Sequence, residues 1–257
     1  AAGTGGISVN SGGALDLNGQ AMTSTGLLIL SGTGVSSTGA LTNSSSGAAT
    51  YAGALMLSGS SSIIAASGNI ALSSTSAVIG NGLGLTLGGA GNGSFYGVLA
   101  TGSGTLSKTG AGSWLIVGTN TYSGATSIGA GTVQMSNNFA LGCSSAITLS
   151  SGATLDLNGT NALNLSSLTM AGTGTSGMAL TNSGLGASYS GAIVLSADTT
   201  IGSNVSSTLT LNSTINGGSF RLTLNGSSAS GSLNGIISNL TSLTVTSGVW
   251  LIYGDNT

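Results

Sequence analysis

The chain is written in short apolar bursts set among small polar residues. Two aliphatic residues repeatedly flank a third residue, as in Leu15-Asp16-Leu17, Ile70-Ala71-Leu72, Leu85-Thr86-Leu87, Ile147-Thr148-Leu149, Leu155-Asp156-Leu157, Leu163-Asn164-Leu165, Leu209-Thr210-Leu211 and Leu222-Thr223-Leu224. A strand turns successive side chains to opposite faces, so each triplet reads as a brief strand with its aliphatic pair on one side and the middle residue on the other. The triplets recur too closely for long strands, and the Gly, Ser, Thr and Asn between them turn a backbone readily. Helices are disfavoured, because the chain holds 47 Gly and each costs about 1 kcal/mol relative to Ala inside a helix. The pattern predicts an all-β chain.

The bursts repeat at long range as well. Within Leu106 to Val133, three apolar clusters (Trp114 to Val117, Tyr122, and Ile128 to Val133) are divided by turn-forming residues. Gly112-Ser-Trp114-Leu-Ile116-Val-Gly118-Thr-Asn120-Thr121 returns as Gly248-Val-Trp250-Leu-Ile252-Tyr-Gly254-Asp-Asn256-Thr257. Upstream, Gly13-Ala-Leu15-Asp16-Leu17-Asn18-Gly19 returns as Gly152-Ala-Thr-Leu155-Asp156-Leu157-Asn158-Gly159, Ala40-Leu41-Thr42-Asn43 as Ala179-Leu180-Thr181-Asn182, and Tyr51-Ala-Gly53 as Tyr189-Ser-Gly191. Leu15 and Leu155 lie 140 positions apart, Tyr51 and Tyr189 138, Trp114 and Trp250 136. Two units follow, 1–138 and 139–257, the second breaking off where a counterpart of Tyr122 would come, so the chain is expected to be cut from a longer array. Self-similarity with small insertions at corners points to stacked coils. The expected architecture is a parallel β-solenoid, one continuous rod of about eleven coils of roughly 20 to 25 residues, on the order of 50 Å long. Recurring corner residues Asn18, Asn158, Asn120 and Asn256 are expected to stack into side-chain ladders.

Composition removes several classes. Charged residues make up 2% of the chain, against about a quarter in average globular proteins, and the net charge is −2 with no His and no Pro. Apolar residues reach 40%, too many for a disordered linker. The longest apolar runs, such as Leu27 to Leu30, fall far short of the roughly 20 residues of a spanning helix, so no membrane span is expected in this segment. Two cations, Lys108 and Arg221, cannot make a basic patch, which argues against nucleic acid as a partner. A charge near zero favours association instead.

At Leu106, Lys108, Gly110, Gly112, Val117, Gly118, Asn120, Tyr122, Gly124, Thr126, Ile128, Gly131 and Val133 the spacing resembles the passenger-associated transport repeat, also called the autotransporter-associated β-strand repeat. The Leu-Asp-Leu-Asn-Gly segments around Asp16, Asn18, Asp156 and Asn158 are similar to those that commonly follow it. The resemblance implies a right-handed parallel β-helix, secreted or displayed at the outer surface of a Gram-negative bacterium. Two departures stand out: Trp114 and Trp250 occupy a position where the family has a smaller residue, and Thr244 stands where Lys108 does.

Candidate chemistry is sparse. A glycosidase needs two carboxyls within about 5 to 9.5 Å, whereas Asp16 and Asp156, six coils apart, would be separated by about 29 Å. Asp198 and Asp255 have no ionisable neighbour in sequence. Gly102 to Thr109 lacks the second Gly of a phosphate loop and any following helix. Thr-x-Thr triplets such as Thr208-Leu-Thr210 and Thr244-Val-Thr246 do not recur at coil spacing, against a flat Thr array. The aromatic residues, with Tyr51 and Tyr189 in phase between units, remain as a candidate surface contact for glycans or host surfaces, beside a shared structural position. The expectation is a non-enzymatic structural segment without cofactor or metal, self-associating into an extracellular fibre, sheath, surface layer or stalk, with an adhesin passenger as the alternative.

Overall fold

The computed structural model describes residues 5–23, 26–162, 166–204, 207–226 and 230–254. Leu163, Leu165, Asp255 and Asn256 lie outside them. Three faces wind round one core. The first is laid down by Ile7–Val9, Leu28–Gly32, the opening of Leu55–Ile64, Ala77–Ile79 and Val98–Ala100. The second begins with Leu15–Asp16, Leu41–Thr42, the end of Leu55–Ile64 and Leu85–Gly88, and continues through Leu106–Lys108, Thr126–Ile128 and Ile147–Leu149. The third holds Ala21–Met22, Ala49–Tyr51, Ile70–Leu72, Gly93–Phe95, Ser113–Ile116, Gly131–Met135 and Ala153–Asp156. The described residues contain no α-helix and one 3-10 turn, Val35–Ser37.

Every described pairing is parallel, and like residues stack. On the second face the column runs Leu15, Leu41, Ile63, Leu87, Lys108, Ile128, Leu149, Met170 and Leu195, at intervals of 20 to 26 residues. The molecule is a β-solenoid of about 11 turns, which at about 4.8 Å a rung gives a rod on the order of 50 Å. Both aliphatic members of the triplets at Leu85, Ile147, Leu209 and Leu222 are buried, so the alternation works as the sequence suggests. Strands of two to five residues do not persist alone. Each buried Leu or Ile contributes about 1.5–3 kcal/mol, but only against the turns above and below it, so the rod stands as a stack of mutually supporting rungs.

The ladder crosses from residue 138 to 139 without a break, since Thr126 pairs with Ile147 and Val133 with Leu155. The two units nevertheless do not sit one above the other in the same orientation. Ile7 stacks on Leu28 and Leu55 on the first face. Its counterpart Ile147 stacks between Thr126 and Leu168 on the second. Leu15 pairs with Leu41 on the second face, whereas Leu155 pairs with Leu180 above Val133 and Trp114 on the third. Tyr51 lies on the third face, and Tyr189 in a separate five-stranded ladder of Asn161–Ala162, Gly186–Tyr189, Thr208–Leu211, Ser230–Leu233 and Val249–Ile252. Six turns and one extra face separate Ile7 from Ile147, so one length of repeat carries the chain a third of a turn too far.

Register also corrects one sequence pairing. Leu85 and Leu87 stack under Leu106 and Lys108, and in the second unit Leu222 and Leu224 stack under Leu243 and Val245. Val245 therefore stands in the place of Lys108, not Thr244; the slip arises from one residue deleted between Thr246 and Trp250.

Candidate functional site: the corner latches and the 106–135 coil

Asp16 ends its strand at a corner. Its Oδ1 accepts from the N–H of Asn18 at 2.9 Å and of Ser44, one turn up, at 3.1 Å, while Oδ2 accepts from the Ser44 hydroxyl. Partial burial pushes the Asp16 carboxyl up, and the bonds from Ser44 and Asn18 outweigh it, holding the group below the usual carboxylate range. Asn18 itself takes φ 46°, a left-handed turn that Asn tolerates better than most residues. The following Gly19 N–H donates to Asn43 Oδ1 at 2.8 Å. Asn43, wholly buried, then donates to Gly47 O at 2.8 Å and to Asn69 O at 3.0 Å, tying three successive turns with one side chain.

The second unit rebuilds this latch one face round. Asp156 Oδ1 accepts from Asn158 N at 2.9 Å and Ser183 N at 3.0 Å, and Oδ2 from Ser183 Oγ and from Gln134 Nε2 at 3.0 Å. Asn158 has φ 47°, Gly159 N donates to Asn182 Oδ1 at 2.8 Å, and Asn182 donates to Leu185 O and Thr208 O. Asp16 and Asp156 are thus corner-bonding carboxylates, six turns and one face apart. Sequence reasoning missed the bridging role of Asn43 and Asn182. The signal was the recurrence of Ala-Leu-Thr-Asn, whose terminal Asn lies two positions after an inward Leu and so on the same side of the chain.

The expected asparagine stack is corrected. Asn18 and Asn158 shape turns on different faces, and Asn120 bonds to backbone, receiving from Leu99 N at 2.7 Å and donating to Ala140 O at 2.6 Å. Asn-to-Asn rungs form elsewhere, between Asn234 and Asn212 at 2.8 Å and between Asn239 and Asn216 at 3.2 Å.

The coil from Leu106 onward shows why its residues are fixed. Lys108 points inward between Leu87 and Ile128 and is 1% exposed. Its ammonium donates to Thr109 O at 2.8 Å, Gly110 O at 2.7 Å and Ala130 O at 3.1 Å, so three corner carbonyls replace its water shell and no carboxylate is among these partners. Burial lowers its pKa to about 8. Gly131 makes room for it: a Cβ there would lie 2.7 Å from Nζ and 2.4 Å from the carbonyls of Gly110 and Gly112, at a φ of 69° that also disfavours side chains. Gly112, Gly118 and Gly124 lie directly over Gly91, Gly97 and Gly104 of the turn below, with 1.9, 1.8 and 2.2 Å from an added Cβ to the carbonyl beneath, so corner backbone packs on corner backbone. Tyr122 is buried, its hydroxyl 2.6 Å from Thr126 Oγ1, which in turn meets Ser144 Oγ; burial drives its pKa up to about 12, against the opposing effect of those two hydroxyls. Trp114 fits because Gly93 lies beneath it, where a Cβ would come 2.4 Å from three ring atoms; Trp250 lies on Gly231 in the same way. The indole of Trp114 donates to Gly88 O at 3.2 Å.

Tyr51 and Tyr189 do not form the expected surface contact, although Tyr96 and Tyr253 are exposed. Tyr51 and Tyr189 are core residues, 1% and 0% exposed, donating to Gly26 O at 2.7 Å and Ser166 O at 2.9 Å. Phe95, Trp114 and Tyr122 are buried as well. Their phase between units reflects a shared inward slot. The outward residues of the second face do show a coil-spaced pattern that the Thr-x-Thr triplets do not reveal: Thr86, Ser107, Ser127, Thr148 and Thr169 follow one another rung by rung, one hydroxyl per turn. A pair of outward hydroxyls on one strand was the wrong unit to look for.

Comparison with curated proteins and with solved structures returns no significant match. Among protein families, the model of the passenger-associated-transport-repeat matches residues 106–135, the coil that begins with Leu106 and the buried Lys108. On that match and on the stacked parallel fold, the chain carries a passenger-associated transport repeat within a β-solenoid.

Proposed function

We propose that this chain is a non-enzymatic, load-carrying segment of a secreted or surface-displayed passenger on a Gram-negative bacterium, and that it self-associates into an extracellular fibre, sheath or stalk. The observation that carries the reading is the unbroken parallel ladder, latched at its corners by Asp16 with Asn43 and again by Asp156 with Asn182. Its chemically equipped side chains are spent on holding turns together: Lys108 on carbonyls, Tyr122 on two hydroxyls, both latch carboxylates on corner amides. Faces of Ser, Thr and Asn with a net charge of −2 let rods approach without repulsion. The family match supports export, since passenger repeats belong to proteins of that kind. The adhesin alternative loses the residues proposed for it, because Tyr51 and Tyr189 face the core.

Electron microscopy of the purified chain tests this. Ordered filaments or layers, with diffraction showing a spacing near 4.8 Å along the rod, are expected. Monodisperse particles at every concentration, or cleavage of a polysaccharide by the purified chain, would sink the proposal.

A further inference from the structure

Seven asparagines in the chain stand directly before a glycine. That dipeptide carries its own reactants, the glycine backbone nitrogen and the asparagine side-chain amide carbon, and glycine, having no Cβ, lets the backbone bring them together. Whether they meet depends on what holds them, and six of the seven pairs are held. The N–H of Gly19 donates to Asn43 Oδ1 and that of Gly159 to Asn182 Oδ1, each at 2.8 Å. The N–H of Gly82 donates to Thr101 O at 2.8 Å. Ser247 Oγ accepts from Gly226 N at 3.0 Å and donates to Asn225 Oδ1 at 2.6 Å, so one hydroxyl restrains both reactants. Gly93 and Gly217 lie inside strands of the ladder, Gly93–Phe95 and Ile215–Gly226, and the side-chain oxygens of Asn92 and Asn216 accept from Ser113 N at 2.8 Å and Gly218 N at 3.1 Å. Asn234–Gly235 differs. It occupies a corner between Ser230–Leu233 and Ile237–Val245, outside both strands, with Asn234 exposed. Among the described residues the Gly235 N–H meets no acceptor. The Asn234 Nδ2 donates to Asn212 Oδ1 at 2.8 Å, a bond between two exposed side chains that water replaces at little cost.

We propose that Asn234 is the chain's site of spontaneous covalent modification, by deamidation through Gly235, and that the bonds of the fold keep the other six pairs intact. The Gly235 nitrogen gives up its proton to hydroxide and attacks Asn234 Cγ. The N–Cγ bond forms, the Cγ–Nδ2 bond breaks, and Nδ2 leaves as ammonia with a proton from water, which closes a succinimide ring. Water then adds to either ring carbonyl and opens the ring to aspartate or isoaspartate. One water is consumed and one ammonia released, with no change in oxidation state. A carboxylate replaces the amide that bonded Asn212, and the formal charge of −2 becomes −3. Isoaspartate also lengthens the backbone by one methylene where there is no room for it, since a Cβ added to Gly235 would lie 2.0 Å from Ser213 O of the turn below. A converted corner therefore lifts from the turn beneath it and carries a new charge.

Peptide mapping of the full chain tests the assignment. The folded chain is held at mildly alkaline pH beside the same chain unfolded in urea, and each Asn-Gly peptide is scored over time by mass and by isoaspartate content. In the folded chain Asn234 is expected to convert about tenfold faster than Asn225, the factor that one held hydrogen bond supplies, while in urea all seven pairs convert at similar rates. Ser247→Ala frees both reactants at 225–226 and should raise conversion at Asn225 by about tenfold, with Asn234 unchanged; circular dichroism confirms that the variant keeps the fold. The comparison within the unmodified chain decides whether or not that variant folds. Conversion at Asn234 no faster than at the six held pairs overturns the assignment. So does an Asn234 that leads equally in urea, where local sequence and not the corner would set the rate, or an Asn225 whose rate Ser247→Ala leaves unchanged in a folded variant.

Discussion

Lys108 shows how one residue can look like chemistry and serve architecture. An inward lysine in an aliphatic column is costly unless its protons are met, and three carbonyls at 2.7 to 3.1 Å meet them. The cost that remains appears as the lowered pKa of about 8 against 10.5 for an unburied lysine. The folded state therefore releases this proton before the unfolded chain does. Between about pH 8 and 10 the unfolded state binds more protons, so folding stability rises with pH, by about 3 kcal/mol at most. Above about pH 10 the sign reverses, because burial raises the pKa values of Tyr51, Tyr122 and Tyr189 and the unfolded chain ionises first. Urea midpoints measured across pH 7 to 11 should thus climb and then fall, and Lys108→Met should remove the climb alone. A Met variant that climbs equally would assign the effect elsewhere. The sequence located Lys108 within its motif but not its inward orientation, since a lysine between polar neighbours reads by default as an outward residue.

The strands were legible because each triplet carries its own alternation; the corners were legible only in part. Leu15-Asp16-Leu17 and Leu155-Asp156-Leu157 announce a polar residue at a strand end, and the following Asn-Gly announces a turn. What closes the corner is a residue about 25 positions away, Asn43 or Asn182, and local pattern cannot show which turn lies above. The energetic ranking within the latch follows from burial. Asp16 is exposed, and Asp16→Ala returns its amide partners largely to water, at a cost of about 1 kcal/mol. Asn43→Ala strands one amide and two carbonyls inside a corner that spans three turns and should cost about 3 kcal/mol. Denaturant melts of the two variants check the order; equal losses would mean that Asn43 is not the element joining the turns. The aromatic residues failed as surface candidates for the opposite reason. Tyr51 and Tyr189 recur because an inward slot beside Gly53 and Gly191 recurs, and phase alone does not say which side of a strand a residue faces.

For the molecule as a whole, the parallel stack could be read from repetition, whereas the azimuth at which a repeated segment recurs could not. Sequence identity records that Leu155 has an environment like that of Leu15, namely an inward slot before a latched corner, and that environment exists on every face. Only the count of strands between them reveals the extra third of a turn, and that count depends on short strands such as Ala21–Met22 that carry little signal of their own. The account stands or falls on turns that lie in register. The most direct measurement is a set of spin-label distances along the second face, with Cys143→Ser removing the native thiol and labels placed in pairs at Thr86, Thr169 and Ser238. Four rungs join Thr86 to Thr169 and seven join Thr86 to Ser238, so narrow distributions centred near ~19 and ~34 Å, in proportion to rung number, are predicted. Broad distributions, or distances that do not grow by a constant step per rung, would contradict it.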